Sequence, residues 1–397
     1  MFFLKQKYKN MKNEKRLDIL FAMNTLDDLG IQRAIVWILN EWNEDRYGTV
    51  ALSLHKKEGK LKDFLSPNVK VFEIDKIVKP IKHLGFFCRL FSYYFLLKKI
   101  RPQKIIAVNQ GEGLALCLVK RFYRNFRLII SEHCHVSSNI SGADAHKGWF
   151  GWYYRNFFSR EYNKYADIVH TVSYEAADDL IKKHGIIPEK VRVIYNPVDF
   201  EVVRKKAEEK IDESWLKEGY NTVVAVSRLT SQKRLDILLK AWQLVKKTEL
   251  GKNNENSYRL LICGDGPLRK ELENLVYELG LKESVKFLGF QANPWKYIKR
   301  AKLFVNTSEW EGLSCSLIEA QALGIPIVAS DCPSGNKEIL MDGEAGLLFE
   351  NKNIEDCAQK IMEAFDNYNR ALEKAHVAGY YLSRFNLAKI IEEYSML

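Results

Sequence analysis

The sequence alternates short apolar runs with segments long enough for helices, and this alternation restricts its fold more than any other feature. Seven apolar runs occupy the first half, at 17–23, 49–54, 69–74, 104–109, 127–132, 167–173 and 191–196. Six more follow a polar stretch, at 221–227, 259–264, 284–289, 302–308, 325–330 and 346–349. Runs of this kind are typical of strands buried on both faces, and helices between them indicate parallel sheets. The pattern predicts an α/β protein with two Rossmann-like, doubly wound parallel-sheet domains.

The point where one series of runs gives way to the next predicts the domain boundary. Between 195 and 221 the composition becomes polar, and Pro197 blocks continuation of a helix. We therefore expect an N-terminal domain over 1–197 and a C-terminal domain over 198–379. The remaining segment, 380–397, has the pattern of an amphipathic helix.

Composition limits the class of protein. Of the 397 residues, 47% are hydrophobic and 28% are charged, as in ordinary globular proteins. No apolar run approaches the roughly 20 residues that cross a bilayer, and residues 1–16 lack the apolar core of a secretory signal, so we expect a cytoplasmic protein. The seven cysteines are scattered and form no C-x-x-C pair. They indicate reduced thiols rather than disulfides or a zinc site.

The net charge of +11 is unevenly divided. Residues 1–200 hold 33 Lys and Arg against 21 Asp and Glu, whereas residues 201–397 hold 28 against 29. In the basic half, the stretches 82–104 and 148–165 interleave cations with large aromatic residues. This pattern is typical of segments that lie on an anionic bilayer, although an amphipathic core helix with a solvated basic face shares it. We expect a protein peripheral on the inner face of the cytoplasmic membrane, and no nucleic-acid partner, since no nucleic-acid-binding motif accompanies the charge.

Loops that directly follow the expected strands are the places for functional residues, because ligands of open α/β sheets bind beyond the carboxyl ends of the strands. Five such loops contain polar residues or glycines. They are 24–34, 131–135, 227–234, 264–267 and 308–319.

In the last of these loops, Glu311 and Glu319 lie eight residues apart, on either side of an apolar run that is typical of a helix. Ser314 or Ser316 can cap the start of this helix, which we expect to end at Ala322. Glu311 would then lie in the preceding loop and Glu319 one turn inside the helix. Both carboxylates can therefore face the same cleft.

The start of this helix also suits a phosphate. Free amides at Leu313, Ser314 and Cys315 would point at an anion, which the helix dipole attracts. A carboxylate repels phosphate but accepts hydrogen bonds from hydroxyl groups. Two carboxylates beside a phosphate site favour a nucleotide sugar as ligand, although their spacing alone also fits two solvated surface glutamates.

The stretch EGLSCSLIEA, residues 311–320, resembles the E-x7-E motif of retaining glycosyltransferases of family 4 (GT4), which have the GT-B fold. The likeness continues through SRLTSQKRLDILLKAW, GDGPLRK and VASDCPSGNKEIL, so that it spans residues 220–350. The first half matches through SEHCH, YNPVD and a modified glycine loop. The resemblance implies two domains that face a central cleft, and a last helix that returns to the first domain.

The resemblance also implies roles for charged residues. Glu319 would hold the ribose hydroxyls and Glu311 would contact the donor sugar. Arg228 and Lys233 match the pair that neutralises the diphosphate, and two fixed cations would stabilise the charge of a departing diphosphate. On spacing alone they could equally be exposed charges at the start of a helix. Because no D-x-D follows an apolar strand, we expect no metal and no cofactor besides the nucleotide-sugar co-substrate.

Further donor-binding residues follow from the same likeness. Gly264 and Gly266 correspond to glycines that let the backbone approach the nucleotide, although a lone G-x-G also marks an ordinary turn. Gly312 joins the three amides at the helix start, and Phe290 could border the base.

In the basic half, His133 corresponds to the family histidine that faces the donor sugar, where it would orient and polarise rather than attack. His135 is the alternative, and a lone histidine is more often structural.

The glycine loop departs from the family. Members carry G-G-x-E-R after the first strand, whereas this chain has Leu29 and Gln32 in place of the first glycine and the acid. Gly30 and Arg33 match. A leucine side chain in this loop would alter the geometry of the N-terminal side of the site.

The sequence therefore predicts a retaining glycosyltransferase that moves a hexose or N-acetylhexosamine from a nucleotide donor, UDP-linked, to a growing, lipid-linked glycan. The expected partners are a nucleotide sugar, a glycan or lipid-linked acceptor and an anionic membrane surface. Two alternatives stay open: a transferase with a soluble acceptor, and a catalytically silent GT-B subunit that stabilises another transferase. The altered glycine loop favours the silent subunit, whereas the four intact charged residues oppose it.

Overall fold

The structure is a computed structural model that describes residues 17–27, 30–56, 58–81, 84–141, 148–216, 220–248 and 258–397. Leu29 of the altered glycine loop lies outside these ranges, as do residues 1–16.

The first domain is built on a parallel sheet of seven described strands. They are β1 (Ile19–Ala22), β2 (Val50–Leu54), β3 (Lys70–Glu73), β4 (Lys104–Val108), β5 (Arg127–Glu132), β6 (Ile168–Thr171) and β7 (Val191–Val193). Their order in the sheet is β3-β2-β1-β4-β5-β6-β7, and neighbouring strands run parallel. Each apolar run of the first half contains one of these strands.

The second domain repeats this plan with six described strands. They are β8 (Asn221–Val226), β9 (Tyr258–Cys263), β10 (Val285–Gly289), β11 (Leu303–Asn306), β12 (Ile327–Asp331) and β13 (Leu347–Glu350). Their order is β10-β9-β8-β11-β12-β13, again with parallel neighbours. The predicted α/β fold with two doubly wound sheets is confirmed.

Helices connect the strands and cover both faces of each sheet. Those of the first half are Gly30–Asn40, Glu44–Tyr47, Gly85–Ile100, Gln110–Lys120, Val136–Ser141, Gly148–Tyr165 and Tyr174–Asp178. Those of the second half are Phe200–Ala207, Leu235–Lys247, Arg269–Glu278, Trp295–Ile298, Cys315–Ala322, Asn336–Ile339, Ile354–Asp366, Tyr368–Tyr380 and Leu387–Met396.

Most of the strands, apart from the edge strands β3 and β10, are largely apolar because both of their faces are covered. In β1, Leu20 belongs to the core on one face of the first sheet and Phe21 to the core on the other. In β8, Val223 and Val224 divide between the two faces of the second sheet in the same way. Successive side chains of a strand point to opposite faces, so a doubly covered strand has no polar side.

The polar stretch expected between the domains contains the helix Phe200–Ala207. Asp199 caps it by accepting a hydrogen bond from the amide of Val202 at 3.0 Å. Val203 and Ala207 are fully buried and pack with residues of the second domain. The stretch looks polar because only one face of this helix is buried.

The last helix, Leu387–Met396, packs against the first domain although it follows the second domain in the chain. Ile390 and Tyr394 are almost completely buried in the same core as β1. The ring of Tyr394 stacks on Phe21 with a centroid separation of 6.2 Å. This contact ties the end of the chain to the first sheet.

One of the two aromatic-basic stretches lies in the core. In the helix Gly148–Tyr165, Tyr154, Phe158 and Tyr162 are at most 1% exposed. The expectation that this stretch lies on a bilayer is wrong for these rings, because they fall on the face that packs on the sheet. Trp152, on another face of the helix, is half exposed.

The other stretch forms the helix Gly85–Ile100, which does expose aromatic rings. Phe87, Phe91 and Phe95 are 47%, 58% and 44% exposed. They are four residues apart and therefore form one stripe along the helix. Lys98 and Lys99 lie in its last turn. Among the described residues, no helix has the length and apolarity to cross a membrane.

The packing of the last helix makes a testable prediction. The substitution Ile390→Ala should lower the free energy of unfolding by about 2–5 kcal/mol, because it leaves a cavity in the core of the first domain. Urea unfolding followed by circular dichroism measures this change. The exposed neighbour Lys389 provides the control, since Lys389→Ala should shift the value by no more than about 0.5 kcal/mol. Equal effects of the two substitutions would contradict the docking of this helix.

Candidate active site

A cleft of about 950 Å³ lies between the two domains. Its lining contains nearly all the residues that the sequence singled out. They are Gly30, Arg33, His133, Arg228, Lys233, Gly264, Phe290, Glu311, Gly312, Leu313, Ser314, Cys315 and Glu319.

The topology explains why these residues meet. In each sheet the chain reverses its direction of winding beside the first strand, at β1/β4 and at β8/β11. Loops that leave such a pair of strands diverge and open a crevice at their carboxyl ends. The loops after β1 and β4 line the first-domain wall of the cleft, and those after β8 and β11 line the opposite wall.

Glu311 is buried in the loop after β11, with 6% of its surface exposed. Its Oε1 accepts hydrogen bonds from the Lys233 ammonium at 2.5 Å and from the Ser308 hydroxyl at 2.7 Å. Its main-chain oxygen accepts from the amide of His135 at 3.1 Å, across the two domains. The carboxylate is thus held by a cation of its own domain.

Glu319 is 3% exposed and lies within the helix Cys315–Ala322. Its Oε1 is 3.5 Å from Nη1 of Arg33, which belongs to the first domain. The Arg33 guanidinium also lies over the ring of Trp295, 5.2 Å from its centroid. Removing one partner of a buried ion pair typically costs about 3–5 kcal/mol because the other charge is left unpaired, so the buried Glu319 depends on a cation from the other domain.

The helix Cys315–Ala322 begins in the cleft, as the sequence predicts. Ser314 occupies the N-cap position, but its hydroxyl forms no capping bond and instead lies 3.3 Å from the hydroxyl of Ser316. Among the described residues, the amides of Leu313, Ser314 and Cys315 have no hydrogen-bond acceptor. Three N–H groups and the positive end of the helix dipole are therefore available to an anion.

The two cations of the loop after β8 differ in their surroundings. Lys233 is partly buried and paired with Glu311. Arg228 is exposed at the edge of the cleft, where its Nη2 is 3.4 Å from Oε1 of Gln232. Arg228 can therefore turn toward an anion at lower cost than Lys233.

The glycines of this site mainly allow backbone segments to approach each other. A Cβ on Gly264 would lie 1.8 Å from the main-chain oxygen of Ser227, and one on Gly266 would lie 2.5 Å from that of Leu229. Gly264 lines the cleft, whereas Gly266 is not among the described residues that line it.

Two glycines allow the domains to meet. A Cβ on Gly312 would lie 1.9 Å from the main-chain oxygen of His133. A Cβ on Gly30 would lie 3.2 Å from Sγ of Cys315. In both cases the neighbour belongs to the opposite domain, so a larger residue would keep the walls of the cleft apart.

Phe290 and His133 lie in opposite walls of the cleft. Lys60, from the loop after β2, places its Nζ over the Phe290 ring at 3.4 Å from the centroid. His133 is held through both ring nitrogens, by Ser131 at 2.7 Å and by Asn196 at 3.1 Å. The alternative histidine, His135, is bonded to Ser138 instead and lies outside the described lining.

Several residues that line the cleft were given no role in the site by the sequence reasoning. Gln32, which replaces the family acid, is 5% exposed, and its Oε1 has no partner among the described residues. Asn196 and Glu132 also line the cleft. Glu132 ends β5, in the loop 131–135 that the strand-end rule selected, and Asn196 follows β7, where the same rule could have found it.

Glu132 is completely buried. Its Oε1 accepts a hydrogen bond from the Tyr162 hydroxyl at 2.6 Å, whereas Oε2 has no partner among the described residues. Burial raises the pKa of Glu132 to about 7, although the hydrogen bonds from Tyr162, Gln110 and Tyr154 oppose the shift. The cleft therefore holds a carboxyl group that changes its charge near neutral pH.

Two family models match the chain. The model described as glycosyl transferases group 1 matches residues 206–382, and the model described as glycosyltransferase family 4 matches residues 42–202. Each match covers most of one of the two sheets.

Two relatives come from Campylobacter jejuni. The N-acetylgalactosamine-N,N'-diacetylbacillosaminyl-diphospho-undecaprenol 4-alpha-N-acetylgalactosaminyltransferase is 31% identical over 68% of this chain and 72% of its own length. The GalNAc-alpha-(1->4)-GalNAc-alpha-(1->3)-diNAcBac-PP-undecaprenol alpha-1,4-N-acetyl-D-galactosaminyltransferase is 27% identical over 96% of this chain and 98% of its own.

A solved structure shares the fold over nearly the whole chain. HepE of Anabaena, in complex with UDP-glucose, superposes with a TM-score of 0.76 and 20% identity, over 95% of this chain and 98% of its own. The two facing Rossmann-like domains thus have the GT-B fold. The chain belongs to glycosyltransferase family 4.

The pKa of Glu132 makes a prediction about stability. The folded state binds this proton more tightly than the unfolded chain, whose carboxyl keeps the ordinary value of 4.5. Ionisation therefore opposes folding, and stability should fall as pH rises from about 4.5 to about 7. In Glu132→Gln this contribution is absent, so its unfolding free energy relative to the parent should increase with pH over that window.

Urea unfolding of both proteins at pH 5, 6, 7 and 8 measures the difference, and all other titrating groups cancel because both chains share them. The gap should level off above about pH 7. A gap that is constant from pH 5 to pH 8 would show that Glu132 does not titrate there.

Proposed function

We propose that this glycosyltransferase moves a hexose or N-acetylhexosamine, with retention, from a UDP-linked donor to a growing, lipid-linked glycan. One observation carries the proposal: two buried carboxylates, each beside a cation, share a cleft with a helix start whose amides have no acceptor in the described part of the chain. A nucleotide sugar needs this combination, because it is a diphosphate flanked by hydroxyl groups.

The donor would lie along the second domain. Glu319 would accept hydrogen bonds from the ribose hydroxyls, and the amides of Leu313, Ser314 and Cys315 would hold the diphosphate. Glu311 would accept from hydroxyls of the sugar. UDP is favoured as the nucleotide because HepE, which shares the fold, was solved with UDP-glucose.

Transfer would proceed on one face of the sugar. The acceptor hydroxyl attacks C1 from the side on which the C1–O bond to the diphosphate breaks, and the leaving phosphate takes the hydroxyl proton. Arg228 and Lys233 stabilise the charge that grows on the diphosphate, while His133 orients the sugar. These two cations supply the stabilisation that a metal ion supplies in other transferases, so we propose that no metal is required.

A lipid-linked acceptor is supported by the two Campylobacter relatives, whose names give undecaprenol diphosphate glycans as their substrates. The exposed stripe of Phe87, Phe91 and Phe95 suits a bilayer surface, and Arg89 of the same helix lines the cleft. The protein would then lie on the inner face of the cytoplasmic membrane, with the cleft open to donor from water and acceptor from the lipid.

Glu319 provides the direct test of donor binding. The substitution Glu319→Ala should weaken UDP binding at least tenfold, because losing a charged acceptor of this kind typically costs about 1.5–3 kcal/mol. Isothermal titration calorimetry with UDP measures the loss. The exposed Glu344 of the same domain is the control, and Glu344→Ala should bind UDP like the parent.

Since Glu319 also touches Arg33, Glu319→Gln keeps the side-chain shape and serves as a second variant. If both variants bind UDP as tightly as the parent, Glu319 does not hold the nucleotide. Release of UDP from a panel of UDP-sugars in the presence of EDTA tests transfer itself. A parent that binds UDP but never releases it from any donor would favour the silent subunit.

Binding of the protein to an anionic membrane can be tested with lipid vesicles. In co-sedimentation, the protein should bind vesicles that contain phosphatidylglycerol and not vesicles of phosphatidylcholine alone, and binding should fade with salt, since Debye screening shortens the attraction. The substitution Phe91→Ser, or exchange of Lys98, Lys99 and Arg101 for glutamine, should weaken binding severalfold.

Tyr380 is the matched control, since it is an exposed ring of the second domain. The substitution Tyr380→Ser should leave sedimentation unchanged. Equal binding to both vesicle types, or to neither, would remove the electrostatic argument and favour a soluble acceptor.

A further inference from the structure

A chain of hydrogen bonds runs from the interior of the first domain to His133. The Nε2 of His170 is 2.9 Å from the main-chain oxygen of Ile194. The Nδ1 of the same ring is 2.6 Å from Oγ of Ser131, and this Oγ is 2.7 Å from Nε2 of His133. The two rings meet edge to face, 5.5 Å apart.

The donor and the acceptor of each hydrogen bond can be assigned in turn, starting from the main-chain oxygen of Ile194. A carbonyl oxygen only accepts hydrogen bonds, so Nε2 of His170 carries a proton. Burial lowers the pKa of His170 to about 4, so the ring is neutral and its Nδ1 is an acceptor. The single hydroxyl proton of Ser131 must then point at His170.

Ser131 therefore offers only lone pairs to His133. The Nε2 of His133 must donate to them, since two lone pairs 2.7 Å apart would repel. Burial, and then the nearby His170, lower the pKa of His133 well below its usual value. A neutral His133 with its proton on Nε2 has a bare lone pair on Nδ1.

Nδ1 of His133 lies 3.1 Å from Oδ1 of Asn196. A half turn of the Asn196 amide about its Cβ–Cγ bond brings its NH₂ group to that lone pair. The turn gives up the bond from Asn196 Nδ2 to the main-chain oxygen of Leu313, which at 3.5 Å is much longer than the 2.7 Å contact between Ser131 and His133. Both residues line the cleft, so the lone pair is on the side where a substrate hydroxyl can compete for it.

Rigid elements hold the hydrogen-bonded chain of His170, Ser131 and His133, which we call the relay, in place. Ser131 lies on β5 and His170 on β6, and both are completely buried. Tyr394 of the last helix packs against the His170 ring, 5.1 Å between centroids. Side chains locked in this way keep one geometry, which a positioning role requires.

We propose that Ser131 and His170 are positioning residues that keep the ring proton of His133 on Nε2 and leave Nδ1 as the nitrogen presented to the cleft. His133 then accepts a hydrogen bond from a hydroxyl of the donor sugar and does not donate one. This last step rests on the proposed function, whereas the position of the proton does not.

The tautomer can be observed directly. Long-range ¹H–¹⁵N spectra of the full chain, labelled with ¹⁵N-histidine, distinguish Nε2–H from Nδ1–H imidazoles, and the loss of one of eight signals in His133→Gln assigns this ring. The parent at pH 7.5 should show the Nε2–H form. An Nδ1–H form in the parent overturns the proposal without recourse to any other variant.

Ser131→Ala should convert His133 to a mixture of tautomers and lower kcat at least tenfold, with UDP affinity within twofold of the parent, because the nucleotide contacts lie in the other domain. Ser131→Thr, which keeps the hydroxyl, should restore the Nε2–H form and most of kcat. An unchanged tautomer in Ser131→Ala would also overturn the proposal.

The two hypotheses can fail separately. If the parent shows the Nε2–H form but releases UDP from no donor, the proposed function fails and the relay stands. If the parent transfers sugar but has the Nδ1–H form, the relay fails and the proposed function stands.

Discussion

Two glutamates buried at the bottom of a cleft require positive charge beside them, and the rest of the site is arranged around this requirement. An unpaired buried carboxylate costs several kcal/mol. Glu311 meets the requirement within its own domain, through Lys233 from the loop after β8. Glu319 meets it through Arg33, which comes from the other domain. The pairing that lets Glu319 be buried therefore also joins the two walls of the cleft.

Main-chain contacts also join the two walls of the cleft. The amide of His135 donates to the main-chain oxygen of Glu311, and Gly312 leaves room for the main-chain oxygen of His133. Because a Cβ at Gly312 would collide with that oxygen, the close approach depends on the absence of a side chain. The loop after β5 and the loop after β11 thus fit as backbone against backbone, which holds His133 opposite the start of the helix Cys315–Ala322.

Two helices of the first domain pack into the same core but differ in how far they bury their aromatic rings. One helix, Gly148–Tyr165, buries three aromatic rings against the sheet, and the other, Gly85–Ile100, leaves a stripe of rings exposed. The two stretches look alike in the sequence because each interleaves aromatic residues and cations. The difference lies in how each helix is turned on the sheet. One turns its large rings toward the core, and the other turns a stripe of rings toward solvent, where a membrane could contact them. The stripe and the cleft share a helix, which would bring a lipid-borne acceptor close to the donor.

The sequence by itself determined the thirteen described strands, the two parallel sheets and the loops that carry the site, because strands buried on both faces are largely apolar and polar residues gather at their ends. It also determined the family, through the spacing of Glu311 and Glu319 and the motifs around them. Tertiary structure alone decided which cation pairs with which carboxylate, and that Ser131 lies between the rings of His170 and His133. These contacts join residues up to 286 positions apart, and no local pattern records the distance between two loops that only the packing of two domains brings together.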